Sequence, residues 1–363
     1  MSHQAVRVGA FAPLTIPGFA PAGRHLRAGL QLGVEDFNQT GGIDGRIIEL
    51  SLRDTGGGPD RALSALRELD AEGVVAVVGE FHSAVARPLA ELARRLGLPF
   101  VCSSATLDNL TSVPTAWVAR LAAPQSHGWR VYADYLLAAG HRRVALAITP
   151  DEYWSSGATV LEARCREEGA SCTRIDATGL SGRSVADRLA AIDGVRALLL
   201  LVPYPEPLAG MVRTVRSDGR LDHLLIGDPA GRAEFREWSQ LLGRHGFGVP
   251  YLRYLPTSLS EFGATVTSRL AQSLGDAPSF VALEGYDTIM VLGACLQLAG
   301  DDREGLRRAL RRVEVQGTRG LLQFRHASDI PILQWVWPPV EVAAHTDAAR
   351  PDRVTVLHTE AYG

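Results

Sequence analysis

The chain has 363 residues, of which 46% are hydrophobic and 21% are charged, and its formal net charge is -3. This composition is typical of a folded globular protein, and the length suits two lobes better than one core. The near-neutral charge provides no electrostatic footprint for nucleic acid, so we expect no nucleic-acid partner. All 37 basic residues are arginine, which excludes Schiff-base and P-loop lysine chemistry.

The N-terminal residues run directly into a strand-like segment. They show neither a charged region followed by an apolar one nor a lipidation cysteine. Two expectations for the compartment stay open: cytoplasmic if Met1 is the native start, and extracytoplasmic if an export signal was removed. No uninterrupted apolar run reaches the roughly 18 residues of a membrane span, so we expect no direct membrane insertion.

The four cysteines form no CxxC pair, which predicts neither a metal site nor a cofactor. Cys102 and Cys295 lie in apolar stretches and are predicted to be small core residues. Cys165 and Cys172 are close in sequence. They are expected either to form a disulfide in an oxidising compartment or to remain free thiols.

The first third of the chain alternates short apolar runs with segments of helical periodicity. Arg24–Asn38 places Leu26, Leu30, Val34 and Phe37 at the spacing of one helix face. Because the apolar strands are continuous rather than alternating, both of their faces are expected to be buried, which indicates a parallel sheet covered by helices. The same reading predicts strands over Val6–Phe11, Ile47–Leu52, Val74–Gly79 and Pro99–Cys102, and helices over Arg61–Glu72 and Ser83–Leu96.

The rhythm restarts in the middle of the chain and predicts a second lobe of the same kind. Its predicted helices are His127–Ala139, Ser155–Glu168, Val185–Ile192 and Pro207–Ser217, and its predicted strands are Arg143–Thr149, Cys172–Ile175, Ala197–Val202 and His223–Gly227. Further on, we expect helices over Leu259–Leu274, Phe280–Leu298 and Arg303–Arg312, followed by β-rich segments over Leu321–Phe324, Ile332–Trp337 and Val354–Leu357.

Three short extended segments are predicted to cross between the lobes: Trp117–Arg120, Tyr251–Leu255 and Ile332–Trp337. The predicted class is therefore α/β, with two doubly wound Rossmann-like lobes joined by a three-segment hinge. The first lobe is expected over residues 1–121 and 255–330, and the second over 122–254 and 331–363. Open parallel sheets bind ligands beyond the carboxyl ends of their strands, so we expect the ligand in a cleft that closes about the hinge.

An ordered series of motifs, spread over nearly the whole chain, resembles the type I periplasmic binding proteins. The most similar group is the one that binds the branched-chain amino acids leucine, isoleucine and valine. The resemblance implies a receptor that captures a small amino-acid-like solute by hinge closure for an ABC transporter. The motifs are Arg7–Phe19, Gly23–Asn38 with Gly41–Arg46, Val77–Ser83, Leu98–Thr106, Glu284–Asp287 and Gly317–Phe324.

For the first lobe, the resemblance implies that Ser83, Ala105 and Thr106, with the adjacent Ser104, hold the ligand carboxylate. A serine at a helix N-terminus offers a hydroxyl beside free amides at the positive end of the helix dipole, which favours an anion. The alternative is that Ser83 only caps a helix and Thr106 only forms a loop. His82 and Phe19 are candidates for lining or covering the ligand.

For the second lobe, the resemblance implies an aromatic residue after the first strand, another after the third, and a carboxylate after the fourth that binds the ligand ammonium. Trp154 occupies the first position. Proline stands at the other two positions, so Tyr204 and Asp228 beside them are the predicted substitutes. Tyr286 of the first lobe matches a further aromatic position of the family, with helix packing as the alternative.

Enzyme motifs are not apparent in the sequence. We find no GxSxG elbow, no GxGxxG fingerprint after the first strand and no P-loop. Asp54–Gly58 resembles an aspartic-protease triplet, but it has no second copy. We therefore predict no enzymatic activity. Two partners remain open: an ABC permease, or a regulatory protein if the chain is a cytoplasmic amide or amino-acid sensor.

Overall fold

The computed structural model describes residues 5–347 and 353–360. It consists of two compact units, and the chain passes from one to the other after Pro124, Arg253 and Pro339. Met1, on which the expectation about the compartment rests, lies outside the described residues, as do the outermost ends of the predicted lobes.

The elements are named here in chain order. The first half contains β1 (Val6–Ala12), α1 (Ala20–Gln39), β2 (Ile48–Asp54), α2 (Pro59–Ala71), β3 (Ala76–Gly79), α3 (Ser83–Leu96), β4 (Phe100–Cys102), β5 (Val118–Arg120), α4 (Gln125–Ala138), β6 (Arg143–Ile148), α5 (Glu152–Glu167) and β7 (Ser171–Asp176). The second half contains α6 (Gly182–Ala190), β8 (Ala197–Leu201), α7 (Leu208–Arg216), β9 (Leu225–Gly227), α8 (Arg236–Leu242), β10 (Tyr251–Arg253), α9 (Glu261–Leu274), α10 (Phe280–Ala299), α11 (Arg303–Ala309), β11 (Glu314–Gly317), β12 (Gly320–Ala327), β13 (Ile330–Trp335), β14 (Glu341–His345) and β15 (Val354–Thr359).

The first unit is built on one sheet with the strand order β11-β12-β13-β5-β4-β3-β1-β2. Strands β1 to β5 are mutually parallel, and β13 pairs parallel to β5 but antiparallel to β12. Every residue of β3 and β4 is buried, because helices of the unit cover the parallel part of the sheet. The predicted α/β class with doubly wound sheets is confirmed.

The second unit contains two sheets. Its parallel sheet has the order β7-β6-β8-β9, and its antiparallel sheet has the order β10-β14-β15. A bridge between Asp228 and Tyr251 joins the end of β9 to β10. The apolar core of this unit includes the buried rings of Trp238 and Tyr251.

The predicted crossing segments are strands of their own units rather than isolated hinge strands. Val118–Arg120 lies between β4 and β13 in the first sheet, and Tyr251–Arg253 pairs with β14 in the second unit. The predicted lobe boundary after residue 330 is wrong. Strand β13 extends the first unit's sheet, so the chain leaves that unit only after Pro339.

Helix α10 packs along α1 in the first unit. Among the described helices it is the one long and apolar enough to meet the composition of a membrane span, and 78% of the qualifying window is buried within the protein. Glycines of α1 let the two helix backbones approach closely. A Cβ added at Gly29 would lie 1.9 Å from the carbonyl oxygen of Ala282.

Replacing Gly29 by alanine is expected to lower the free energy of unfolding by about 1–3 kcal/mol, because the added methyl group forces two packed helices apart. Gln31→Ala, on the exposed face of the same helix, is the matched control and should change stability by less than about 0.5 kcal/mol. Urea denaturation measures both values. Equal midpoints for the two variants would contradict this account of the helix contact.

Candidate functional site

The carboxyl ends of β3 and β4 bring together the predicted residues of the first unit. Ser83 begins α3, and its side chain is 7% exposed. Its Oγ accepts hydrogen bonds from the backbone amides of Thr106 at 3.0 Å and Leu107 at 3.1 Å. Since both bonds use lone pairs, the hydroxyl proton of Ser83 is left to donate.

The loop after β4 is held from several sides. The Ser103 hydroxyl donates to the carbonyl oxygen of Glu80 at 3.1 Å, and the Ser104 hydroxyl donates to Ser103 Oγ at 3.1 Å. Ala105 is fully buried beside them. Among the described residues, none hydrogen-bonds the hydroxyl of Thr106. Ser83 and Thr106 are thus in direct contact. Ser104 and Ala105 are buried within the loop that carries Thr106.

His82 and Phe19 also lie at this edge. The backbone amide of Phe19 donates to Nε2 of His82 at 3.0 Å, which assigns the ring proton of the neutral imidazole to Nδ1. Burial lowers the pKa of His82 to about 4, so the ring is neutral at pH 7. The rings of Phe19 and Phe81 lie 5.9 Å apart, so the residue before α1 packs against the turn that precedes α3.

Glu80 is a residue of this site that the sequence analysis missed. Its side chain is fully buried, and its φ angle is +70°. Oε1 accepts the amides of Phe81 at 2.9 Å and His82 at 2.8 Å, which fixes the turn that leads into α3. Burial raises the pKa of Glu80 to about 7, against the opposing effect of these amides and the Thr55 hydroxyl. A charged residue directly after the apolar β3 was the available signal.

Arg120, at the end of β5, was missed as well. Its buried guanidinium donates through Nε to Gln334 Oε1 at 2.8 Å and through Nη1 to the carbonyl oxygen of Leu107 at 2.5 Å. Burial lowers the pKa of Arg120 to about 10, which still leaves it charged at pH 7. It places a positive charge against the loop that contains Thr106.

Tyr286 does not lie with these residues. Its hydroxyl donates to Asp36 Oδ2 at 2.8 Å, and its ring lies 6.0 Å from that of Phe262. Asp36 also accepts two hydrogen bonds from Arg269. The structure thus corrects the predicted ligand contact at Tyr286: the side chain is directed along the α1–α10 interface, where it joins a surface ion pair.

Trp154 and Tyr204 follow β6 and β8 of the second unit. Trp154 is mostly buried at the start of α5, where Asp151 Oδ1 accepts its backbone amide at 2.7 Å. Tyr204 is half-buried against the apolar core, and burial raises its pKa. Arg232, which was not predicted, stacks over Trp154 with its guanidinium carbon 5.1 Å from the ring centre.

Asp228, which was predicted to bind a ligand ammonium, is a second residue that the structure places differently from the prediction. It is 1% exposed, and its Oδ1 accepts Nη2 of Arg232 at 2.7 Å. The carboxylate is therefore neutralised within its own unit and does not present a free charge for a ligand ammonium. An arginine four residues after the aspartate was the signal that could have shown this pairing.

The described residues contain no group of three or more histidine, cysteine, aspartate or glutamate side chains that could hold a metal ion. All four cysteines are free thiols. Cys165 and Cys172 are close enough for their thiols to hydrogen-bond, which lowers the pKa of Cys165. Of the two expected states, a disulfide or two free thiols, the structure has Cys165 and Cys172 as free thiols.

Comparisons with known proteins agree with this architecture. The Leu/Ile/Val-binding protein BraC3 of Rhizobium johnstonii is 26% identical over 315 residues, which are 86% of this chain and 84% of the relative. The fold is similar to a leucine-binding protein of Thermotoga maritima, with a TM-score of 0.82, 22% identity and 98% of each chain covered. It is also similar to a solute-binding protein of R. palustris in complex with benzoate, with a TM-score of 0.78, 17% identity, and 98% and 96% covered.

The family relation follows from the sequence as well as from the fold. The sequence profile of the periplasmic binding proteins matches residues 5–335, which include every element from β1 to β13. This match confirms the resemblance seen in the ordered motifs. The chain belongs to the periplasmic binding protein family.

Proposed function

We propose that the chain is a receptor that binds a small carboxylate-bearing, amino-acid-like solute without changing it chemically and passes it to an ABC permease. The observation that carries the proposal is the pair of hydrogen bonds from the Thr106 and Leu107 amides to Ser83 Oγ. They join the N-terminus of α3 to the loop after β4, at the edge where open parallel sheets bind ligands.

The chemistry of this edge favours an anion. The 14-residue helix α3 directs the positive end of its dipole toward it. The hydroxyls of Ser83 and Thr106 can both donate, and Arg120 adds a buried positive charge behind the loop. The carboxylate of Glu80 is turned away into the amides of Phe81 and His82.

The same geometry argues against catalysis at Ser83. A serine nucleophile needs a general base within hydrogen-bond reach. The adjacent His82 uses its one free lone pair to accept the Phe19 amide, so its imidazole is not available to take a proton from Ser83. This supports stoichiometric binding rather than turnover.

The relatives support a carboxylate as the recognised group. One is named for leucine, isoleucine and valine, and one structural neighbour contains benzoate. These molecules share a carboxylate attached to an apolar body. We therefore propose that Ser83 and Thr106 bind the carboxylate, and that Phe19 and His82 of the same unit contact the apolar part.

Replacing Thr106 by valine is expected to weaken carboxylate binding by about 1.5–3 kcal/mol, roughly 10- to 150-fold, because a hydrogen bond to a charged group is lost while the side chain keeps its shape. Isothermal titration calorimetry with leucine, 4-methylpentanoate and benzoate measures the change. Product analysis after incubation should recover each ligand unaltered.

Thr40→Val in the same unit is the matched control, because the Thr40 hydroxyl bonds only its own helix end, at Phe37. This variant should bind as the wild type does. Leucinamide and benzamide, which lack the carboxylate, should bind weakly to the wild type and to Thr40→Val. Unchanged affinity in Thr106→Val, or a ligand that is consumed, contradicts the proposed function.

A further inference from the structure

The first unit contains a cavity of about 380 Å³ at the end of its sheet opposite to Ser83. Trp117 lines this cavity and directly precedes β5, so it stands at the amino end of the parallel strands. Arg94 lies in the last turn of α3, about 16 Å along that helix from Ser83. Three further residues of the lining matter here: Arg307 of α11, Arg311 after that helix, and His326 of β12.

Two guanidinium groups of the cavity are fixed by glutamates. Arg94 donates to Glu91 through Nη2 at 2.7 Å and through Nε at 3.3 Å. Arg307 donates to Glu304 through Nε at 3.0 and 2.9 Å, and also through Nη2. Within the described residues, Nη1 of neither arginine has a hydrogen-bond acceptor. The glutamates therefore hold both side chains in place and leave Nη1 of each to donate to a ligand.

The cavity has an excess of positive charge. The side chain of Arg311 makes no hydrogen bond or ion pair in the part of the chain that the structure describes. Burial lowers the pKa of His326, and the positive charge of Arg311 lowers it further, so these two side chains lie close enough to interact. Arg94 and Arg95 share the one carboxylate of Glu91. Such an excess favours an anionic ligand.

The number of available donors suits a phosphate better than a carboxylate. A carboxylate is already satisfied by one edge of one guanidinium, as Glu91 is by Arg94. A phosphate monoester has three acceptor oxygens and a charge of about -1.5 to -2 at pH 7. It can therefore accept hydrogen bonds from Arg94, Arg307 and Arg311 together.

Trp117 provides an apolar wall of the cavity. Its ring is half-buried, and the guanidinium carbon of Arg307 lies 5.4 Å from the ring centre, a cation–π contact that holds the two side chains together. The cavity volume falls within the range of small-molecule pockets, roughly 300–1,000 Å³. An organic group thus has room beside the phosphate.

We propose that this cavity is a second anion site of the chain, which binds the phosphate group of a small organic phosphate. It is separate from the carboxylate site at Ser83 and Thr106, and the proposal does not depend on the proposed function. All the residues that carry it belong to the first unit.

Two matched ligand pairs test the proposal on the unmodified full chain. AMP is compared with adenosine, and ribose 5-phosphate with ribose, by titration calorimetry at pH 7 and physiological salt. In at least one pair, the phosphate is expected to bind at least about tenfold more tightly than its phosphate-free partner, because only the phosphate engages the guanidinium groups. Equal affinities within both pairs, or no binding of either phosphate, overturn the proposal.

Replacing Arg311 by glutamine should weaken binding of the phosphate by at least about tenfold, because the unpaired guanidinium is lost. Arg312→Gln is the matched control: it removes the adjacent exposed arginine, which does not line the cavity, and should change the affinity by less than about twofold in physiological salt. Equal weakening in both variants would show general attraction of anions to a basic surface and overturn the proposal.

Thr106→Val separates the two anion sites. It should leave phosphate binding unchanged, and Arg311→Gln should leave binding of 4-methylpentanoate unchanged. Loss of phosphate binding in Thr106→Val, with none in Arg311→Gln, would place the phosphate at the N-terminus of α3 and overturn the proposal. Failure of the proposed function has a different signature, which is an unchanged affinity of Thr106→Val for the carboxylates.

Discussion

Replacing Arg319 by methionine is expected to lower the free energy of unfolding by about 3–5 kcal/mol, because it removes the cation that two buried carboxylates share. The Arg319 side chain is fully buried between Glu284, with Nη1 and Oε1 3.3 Å apart, and Asp287, with Nε and Oδ2 3.1 Å apart. Nη1 also donates to the carbonyl oxygen of Tyr254 at 3.2 Å, and the guanidinium carbon lies 4.8 Å from the Trp335 ring centre.

Two further variants separate charge from packing at this position. Arg319→Lys keeps the positive charge and should therefore lower the free energy of unfolding less than Arg319→Met does. Recovery should be partial, because an ammonium group lacks the planar array of donors with which the guanidinium contacts both carboxylates. Arg325→Met removes an exposed arginine from β12 and should cost less than about 0.5 kcal/mol. Chemical denaturation monitored by tryptophan fluorescence measures all three. A loss for Arg319→Met no larger than that for Arg325→Met would contradict the account.

Replacing Glu80 by glutamine is expected to make the free energy of unfolding fall more steeply than in the wild type as the pH decreases from about 6.5 to 4.5. The pKa of Glu80 is raised from 4.5 to about 7, so its contribution to stability is present below pH 4.5 and is lost as the pH rises through 7. The pKa of His82 is lowered from 6.5 to about 4, so its contribution is present above pH 6.5 and is lost as the pH falls through 4. Between these limits each changes the unfolding free energy by about 1.4 kcal/mol per pH unit, with opposite signs.

The two contributions nearly cancel in the wild type between about pH 4.5 and 6.5. In Glu80→Gln only that of His82 remains, so the unfolding free energy should fall by about 3 kcal/mol relative to the wild type as the pH decreases over this range. His82→Gln should show the reverse, with stability falling as the pH rises. Urea unfolding at half-unit intervals of pH measures both curves.

Other groups titrate in the same range, so the difference between variant and wild type is the informative quantity. Glu68→Gln, an exposed substitution in the same unit, is the control and should run parallel to the wild type. Parallel curves for Glu80→Gln and the wild type would contradict the proposed opposition of the two buried groups.

The periodicity of apolar residues was sufficient to predict the α/β architecture. Continuous apolar strands such as Ala76–Gly79 are buried on both faces in a parallel sheet, and their pattern shows in the sequence directly. The final lobe boundary was misplaced because the pairing partner of β13 is decided by contacts distant in sequence. Leu333 pairs with Ala119, more than 200 residues away in the chain.

The site was predictable only in part. The position of Ser83 and Thr106 at one edge of the sheet was predictable because strand ends and helix starts are local features, and the structure joins the two residues through the Ser83 hydroxyl; their ligand contacts stay a prediction. Glu80 and Arg120 were missed because burial of a charged group depends on what packs around it. The motifs Glu284–Asp287 and Gly317–Phe324 were recognised separately, and the structure links them through Arg319.

The sequence by itself determined the α/β class, the repeated doubly wound pattern and the family, because these depend on local periodicity and the order of short motifs. Only the tertiary structure decided which charged side chains are available to bind a ligand and which are paired within the protein. Asp228 looks in the sequence like a ligand for an ammonium group, but folding places it against Arg232 at 2.7 Å. Whether a charge is available depends on its neighbours in space, and those neighbours are set by the packing of the strands that hold them.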